Sequence, residues 1–281
     1  MSHNTPAVLR TLAVDLATRT AEKINARRAE LGDLRAYVST KSSVVDPVTV
    51  VDTAAEAFIS DELERLRPAD GLVGEEGNEG ASTSGVSWIV DPIDGTVNFL
   101  YGLPHYAVSV GAAVDGRPVA GAVVNVATGT IFSAAEGEGA TVTVGEKTVP
   151  LQASATVDVE TTLLATGFSY SAARRAQQVE ILGRLMSRVR DVRRMGSAAL
   201  DLCALAAGHV DLYYEHGIHS WDYAAGVIIA REAGAVVTHP PLSVTGQEFR
   251  PVVGYAPGLG GVIDPVLEAA GVHQPLPTLP H

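Results

Sequence analysis

The sequence predicts a mixed fold, part α+β and part α/β: an antiparallel sheet half followed by a second α/β half. Three observations predict it. Two stretches with apolar residues at helical spacing open the chain. Four strand-like segments separated by short turns follow within residues 106–149, the pattern of an antiparallel meander. From about residue 157, strand-like and helical segments alternate, as in an α/β layer. The chain has 281 residues, 46% of them hydrophobic, enough for one large domain or two closely packed halves. We expect the halves at 1–155 and 156–272, and a frayed Pro-rich tail over 273–281.

The elements follow in order. Thr5-Pro6 reads as an N-cap with Pro at the first helical position. Leu9, Leu12, Leu16 and Ile24 mark the apolar face of the first helix, which stops near Gly32. A second helix is expected over 52–66, burying Phe58, Ile59, Leu63 and Leu66, with Pro68 beyond its end. The loop between the helices carries Lys41, Asp46 and Asp52. After a strand at Trp88-Ile89-Val90, the meander strands are expected at 106–114, 119–126, 129–134 and 141–149. Asp115-Gly116, Ala127-Thr128-Gly129 and Gly145-Glu146 supply the turns. In the second half, strands at 162–166, 190–194, 211–215 and 235–238 alternate with helices at 172–188, 197–207, 223–233 and 265–270. There are no internal repeats and no long linker.

The formal net charge of −12 argues against broad electrostatic binding of nucleic acid or of anionic membrane. No apolar run reaches transmembrane length, and the N-terminus lacks a basic segment followed by an apolar core, so a soluble cytoplasmic protein is expected. The single cysteine, Cys203, excludes an internal disulfide and reads as a small core residue.

The candidate chemistry is carboxylate chemistry. In Trp88-Ile89-Val90-Asp91-Pro92-Ile93-Asp94-Gly95-Thr96, an apolar strand ends in two carboxylates, with Pro92 stiffening the turn between them. Such oxygen donors suit hard divalent cations. A helix beginning near Gly95-Thr96 would point backbone N–H groups at an anion such as phosphate. Metal and phosphate sites side by side suggest metal-assisted hydrolysis of a phosphate ester. Turn and capping roles would also account for Asp and Thr here. Bound cations would offset the repulsion between an acidic cleft and a phosphate.

Other carboxylates fit the same scheme. Glu75, in Gly74-Glu75-Glu76-Gly77, ends a short strand and is either a solvated turn residue or a metal ligand. Asp222, in Trp221-Asp222-Tyr223, opens an Ala-rich helix as a cap, a position a metal ligand could share. Glu215 is either solvated or an acceptor for substrate hydroxyls. Asp52 and Thr49 either cap the second helix, or Asp52 takes a proton from the Thr96 hydroxyl and so activates a water. Lys41 either contacts phosphate, forms an ion pair or is solvated. His216 and His219 lack a metal-ligand pattern and read as structural.

Taken together, these segments resemble the inositol monophosphatase family in order and spacing. The matching motifs are Lys41-Ser42-Ser43, Asp46-Pro47-Val48-Thr49 with Asp52, Gly74-Glu75-Glu76, Asp91 to Thr96 with Asn98-Phe99, and Trp221-Asp222 with Gly226. Arg194-Met195-Gly196-Ser197-Ala198-Ala199 and the stretch from Tyr213 to His219 also fit. Pro47 and Val97 depart from the commonest pattern. The resemblance implies a layered αβαβα fold and Mg²⁺-dependent hydrolysis of a small phosphorylated polyol, with two to three Mg²⁺ per site. It implies Glu75, Asp91 and the Ile93 carbonyl as ligands of the first Mg²⁺, Asp91, Asp94 and Asp222 of the second, and a third Mg²⁺ near Glu75. Thr96 and Asp52 would activate the attacking water. Gly95 and Thr96 would bind phosphate, and Asp94, Gly196, Ser197, Ala198 and Glu215 would line the polyol pocket. Li⁺ sensitivity and a homodimer are further expectations.

The leading expectation is hydrolysis of inositol-1-phosphate. Histidinol phosphate, fructose-1,6-bisphosphate and nucleotide esters remain alternatives. A bisphosphate would need a second basic site; the segments around Glu215 offer no obvious basic cluster, and Arg193 and Arg194 are the nearest basic pair before it in sequence. An alternative of another class is a protein partner of the transcription machinery.

Overall fold

The first helix forms because its small and apolar residues recur every three to four positions. In α1 (Pro6–Leu31), Leu9, Ala13, Leu16, Ala17, Ala21 and Ile24 are all buried. A computed structural model of the chain describes residues 4–31, 38–40, 47–77 and 79–277. After α1, β1 (Val38–Thr40) and β2 (Pro47–Thr49) pair antiparallel. Helix α2 (Val50–Leu66) buries Val51, Ala55, Ile59 and Leu63. Phe58 is partly buried beneath the cations of Arg19 and Lys23. Leu66, expected in the core, is 40% exposed because it ends the helix at the Arg67-Pro68 corner, beyond the last turn that faces α1.

A large mixed sheet follows. Its strands are β3 (Gly71–Gly74), β4 (Glu79–Gly80), β5 (Val86–Asp94), β6 (Ala107–Val114), β7 (Arg117–Asn125), β8 (Thr130–Ala135), β9 (Ala140–Val144) and β10 (Lys147–Pro150). Their order is β10-β9-β8-β7-β6-β5-β3-β4. Strands β5 to β10 form an antiparallel meander as expected, except that the segment read as one strand over 141–149 is a hairpin of β9 and β10 turning at Gly145-Glu146, and β3 lies parallel to β5. The short helix α3 (Thr96–Tyr101) follows β5 directly. Helices α1 and α2 cover one face of this sheet.

The second half holds β11 (Leu163–Thr166), α4 (Ala172–Leu185), β12 (Asp191–Arg193), α5 (Ala198–Ala206), β13 (Leu212–His216), α6 (Ser220–Glu232), β14 (Val236–Thr238), β15 (Pro251–Tyr255) and α7 (Asp264–Ala270). Its strands are ordered β12-β11-β13-β15-β14. Sequence patterning did not reveal β15, because Pro251 opens the strand and reads as a breaker. Helices α5 and α6 pack between the two sheets, while α4 and α7 share a core on the outer face of the smaller one. The layers therefore run α1/α2, large sheet, α5/α6, small sheet, α4/α7. This is the αβαβα arrangement that the resemblance implied. No helix among the described residues is long and apolar enough to cross a membrane.

The contact of α6 with the large sheet is unusually close. A Cβ on Gly121 would lie 2.8 Å from the Ala225 Cα and 3.0 Å from its Cβ. This glycine lets α6 settle on β7, which sets the height of the α6 N-terminus over the end of β5. Gly121→Ala is expected to force the layers apart and cost about 1–3 kcal/mol, as overpacking does. Thermal denaturation would check it, and an unchanged midpoint would show that the contact is not limiting.

The expected frayed tail is corrected over residues 273–277. Leu276 is buried, and its N–H donates to the Phe249 carbonyl at 3.1 Å. Arg174 and Gln177 both donate to the Pro277 carbonyl. The buried His216 ring Nε2 lies 2.9 Å from the Val272 carbonyl and 3.1 Å from the Gln274 carbonyl. A buried leucine and satisfied backbone groups hold a Pro-rich segment that composition alone reads as loose.

Candidate active site

Asp91 and Asp94 are three residues apart, so on a regular strand they would face opposite sides of the sheet. The pairing of β5 with β6 shows how both come to serve one site. Asp91 pairs with Ser109 and Asp94 with Ala107, so the register shifts across Pro92-Ile93. A bulge of this kind re-aims a side chain. Pro92 has no N–H to contribute and fits an interrupted ladder. The Asp91 Oδ1 accepts the Ile93 N–H at 2.9 Å, which fixes the turn.

Asp94 is anchored from across the molecule. Its Oδ2 accepts the Ser197 hydroxyl at 2.6 Å and the Ala199 N–H at 2.7 Å. The same Ser197 hydroxyl caps α5 by accepting the Leu200 N–H at 3.2 Å. Asp222 lies in the first turn of α6, and its Oδ2 accepts the His219 N–H at 2.6 Å. Helix α6 begins at Ser220, three residues earlier than expected, so Asp222 sits inside the helix and reaches back to its N-terminus.

Two groups of carboxylates converge here. Oxygens of Asp91, Asp94 and Asp222 lie within 4.8 Å of one another, as do those of Asp52, Glu75 and Glu76. The groups face each other closely enough for Glu75 and Asp52 to raise the proton affinity of Asp91. Burial is the main cause that holds Asp91 and Asp222 well above the ordinary carboxylate range, and repulsion from neighbouring acids adds to it. Asp94 is also raised by burial, against the lowering effect of its donors Ser197 and Ala199. The donors are all hard carboxylate oxygens, with no thiolate or imidazole in either group. Buried and half-buried, mutually repelling carboxylates of this kind fit one or more divalent cations of the Mg²⁺ or Mn²⁺ type.

The other predicted residues surround these groups. Gly95 precedes α3 and backs onto the Gly196 carbonyl. Asn98 holds this wall together by donating to the His105 carbonyl at 2.7 Å and the Met195 carbonyl at 2.8 Å. The Thr96 hydroxyl donates to the Ile93 carbonyl at 3.1 Å, where the sequence had suggested Asp52 as its partner. Asp52 is buried in the first turn of α2, inside the helix, which begins at Val50. Ala198 begins α5, and Glu215 lies on β13. The Tyr213 hydroxyl donates to Glu215 at 3.1 Å. Burial, with a smaller contribution from Asp201, pushes the Glu215 carboxyl up to about 8. Lys41 and Asp46 lie outside the described residues.

The structure adds groups to which the sequence reading gave no role at the site. Glu76 joins Asp52 and Glu75. Asp201, 1% exposed, lies 3.6 Å from His105 Nε2, and burial pushes it up to about 6. The Arg194 guanidinium lies against Gly196 and lowers the proton affinity of Glu215 and Asp201. The signal for Asp201 was present: it stands four residues after Ser197, one turn along the same face of α5.

Comparison with known proteins agrees with the geometry. The sequence profile of the inositol monophosphatase family matches residues 6–265. An inositol-1-monophosphatase of Mycobacterium leprae is 49% identical over 271 residues, covering 92% of this chain and 93% of the relative. The solved structure of Mycobacterium tuberculosis SuhB superposes with a TM-score of 0.83 at 45% identity, over 96% of this chain and all of that one. A Salmonella typhimurium protein named Nus factor SuhB is 40% identical over 224 residues, 79% of this chain and 82% of the relative.

Proposed function

The chain belongs to the inositol monophosphatase family of metal-dependent phosphatases acting on small phosphorylated substrates, and from that premise we propose that it hydrolyses inositol-1-phosphate with Mg²⁺. The observation that carries the reading is the convergence of Asp91, Asp94 and Asp222 with Asp52, Glu75 and Glu76, beside the Gly95-Thr96 turn. Glu75, Asp91 and the Ile93 carbonyl would hold one Mg²⁺, Asp91, Asp94 and Asp222 a second, and the group around Glu75 a third. When bound, Mg²⁺ supplies Lewis-acid polarisation of the phosphoryl group and lowers the pKa of water.

The chain's own residues do the rest. Gly95 and Thr96 offer backbone N–H groups to the phosphate. Asp52 takes the Thr96 hydroxyl proton once that hydroxyl turns away from Ile93, leaving the Thr96 oxygen to accept a proton from the attacking water. Ser197 keeps Asp94 oriented. Glu215, raised to about 8 in the metal-free protein, holds its proton at neutral pH and can both donate to and accept from polyol hydroxyls. Gly196 and Ala198 shape the wall opposite Gly95.

A second reading keeps the same chemistry and changes the substrate. Asp201 places another buried carboxylate near Glu215, a feature that suits a cationic amine such as that of histidinol phosphate. Phosphate release should be measured in parallel from inositol-1-phosphate, histidinol phosphate, fructose-1,6-bisphosphate and an adenosine bisphosphate, with Mg²⁺ and again with Li⁺. Fast turnover of inositol-1-phosphate, inhibited by Li⁺, is the expected result. Preference for another ester would move the substrate and keep the site. Silence on all four esters would favour the transcription-partner role that the Nus factor name describes for the Salmonella relative. Sedimentation should give a homodimer.

A further inference from the structure

Glu56 has no part in the chemistry above, yet it is a fully buried acid at 0% exposure. It stands on α2 one turn after Asp52, among Ala55 and Ile59, where an aliphatic side chain would pack without the cost of burying a charge. Its carboxylate makes two contacts with the turn after β3. The Oε2 accepts the Glu76 N–H at 2.7 Å, a short bond to an ionisable acceptor. The same carboxylate lies flat against Gly74, where an added Cβ would fall 2.6 Å from its Cδ and Oε2 and 2.7 Å from its Oε1. Gly74 and Glu76 are the two chain neighbours of Glu75. One buried carboxylate therefore brackets Glu75 on both sides and fixes the direction in which its side chain leaves the backbone. Thr53, on the same helix, adds a 3.3 Å hydrogen bond to the Glu76 carboxylate.

We propose that Glu56 is the positioning residue that aims Glu75 into the metal site, acting through its contacts with Gly74 and the Glu76 N–H. The proposal rests on the metal-dependent reading above. It also explains the glycine at 74, since any side chain there would displace the Glu56 carboxylate.

The test measures Mn²⁺ binding directly, from the electron paramagnetic resonance signal of the free ion, with circular dichroism to establish folding. Groups that orient a metal ligand typically contribute 10- to 100-fold in metal affinity. Glu56→Met, which removes the acceptor at similar volume, is expected to weaken Mn²⁺ binding by about tenfold or more. Glu56→Gln keeps an oxygen acceptor for the Glu76 N–H and should stay within about threefold of wild type. Gly74→Ala leaves Glu56 in the chain and pushes its carboxylate aside, so it should reproduce the loss and keeps the test decisive if Glu56→Met fails to fold. In Gly74→Ala, turnover at saturating Mg²⁺ should recover while the Mg²⁺ requirement rises. Wild-type affinity in folded Glu56→Met or Gly74→Ala would overturn the positioning role alone, as would an equal loss in Glu56→Gln. Wild-type protein that takes up no Mn²⁺ would overturn the metal reading and this inference with it.

Discussion

Asp94→Asn is expected to fold normally and to lose turnover by roughly three orders of magnitude or more at saturating Mg²⁺, on the order of 4 kcal/mol in barrier. The reason lies in how Asp94 is held. Its Oδ2 accepts both the Ser197 hydroxyl and the Ala199 N–H, and the carboxylate also reaches within 4.8 Å of Asp91 and Asp222, so both of its oxygens are needed. An asparagine has one carbonyl oxygen. If that oxygen keeps the two donors, the NH₂ group must point into the carboxylate cluster, where it can donate to Asp91 or Asp222 but cannot ligate a cation. The fold survives because the anchor to α5 is retained, and because one of three mutually repelling acids has become neutral. The metal-free variant should therefore melt no lower than the metal-free wild type. Phosphate release by purified, folded variant decides the matter: more than a tenth of wild-type activity would remove Asp94 from the proposed machinery. Reversal of the amide, with NH₂ facing Ala199, would instead show as a loss of stability of about 1–3 kcal/mol from two opposed donors.

Much of this site was legible because its carboxylates sit where sequence reads most clearly, at the ends of elements. Asp91 and Asp94 close a strongly apolar strand, and Asp222 lies in the first turn of an Ala-rich helix. What the sequence did not disclose is how residues 91 and 94 come to share a side, since period-two reasoning sends them to opposite faces. The bulge at Pro92-Ile93 resolves that, and bulges carry only a weak local signature. Glu56 and Asp201 are hard to read from sequence for the opposite reason. Each lies inside a helix on the buried face, where an acid reads as an interruption of the apolar stripe, although each stands four residues from a recognised site residue. The meander was readable from its turns, while β15 was hidden by its opening proline. The order of residues 273–277 is not legible in the sequence, because composition cannot register the partners that Arg174, His216 and Phe249 provide from distant parts of the chain.

The crowding of acids also sets how stability should depend on pH and on metal. Metal-free protein is expected to lose stability as pH rises from 7 to 8.5. A carboxyl whose folded-state pKa lies above its unfolded value keeps a proton that the unfolded chain has released. Between those two values the unfolded state binds fewer protons, so the free energy of unfolding falls with pH. Glu215, pushed up to about 8 chiefly by burial, titrates within this window. Asp201, at about 6, has given up most of its contribution before the window opens. Asp91 and Asp222, raised well above the ordinary range, act in the same direction as Glu215. The buried His216 and His239 have lowered pKa values, so they oppose the slope, but only through the minor fraction that is still protonated in the unfolded chain just above pH 7. From Glu215 alone the loss is about 1 kcal/mol, roughly 2 °C in melting temperature. A divalent cation binds the ionised carboxylates and releases protons, so saturating Mg²⁺ should restore about 3 kcal/mol at pH 8.5 and less at pH 7. Melting curves in EDTA and in Mg²⁺ at the two pH values would check both signs. Glu215→Gln should flatten the metal-free slope without abolishing the Mg²⁺ shift. Metal-free protein that gains stability toward pH 8.5 would mean that these carboxyls are already ionised without a cation, and would overturn the assignment of raised proton affinities to them.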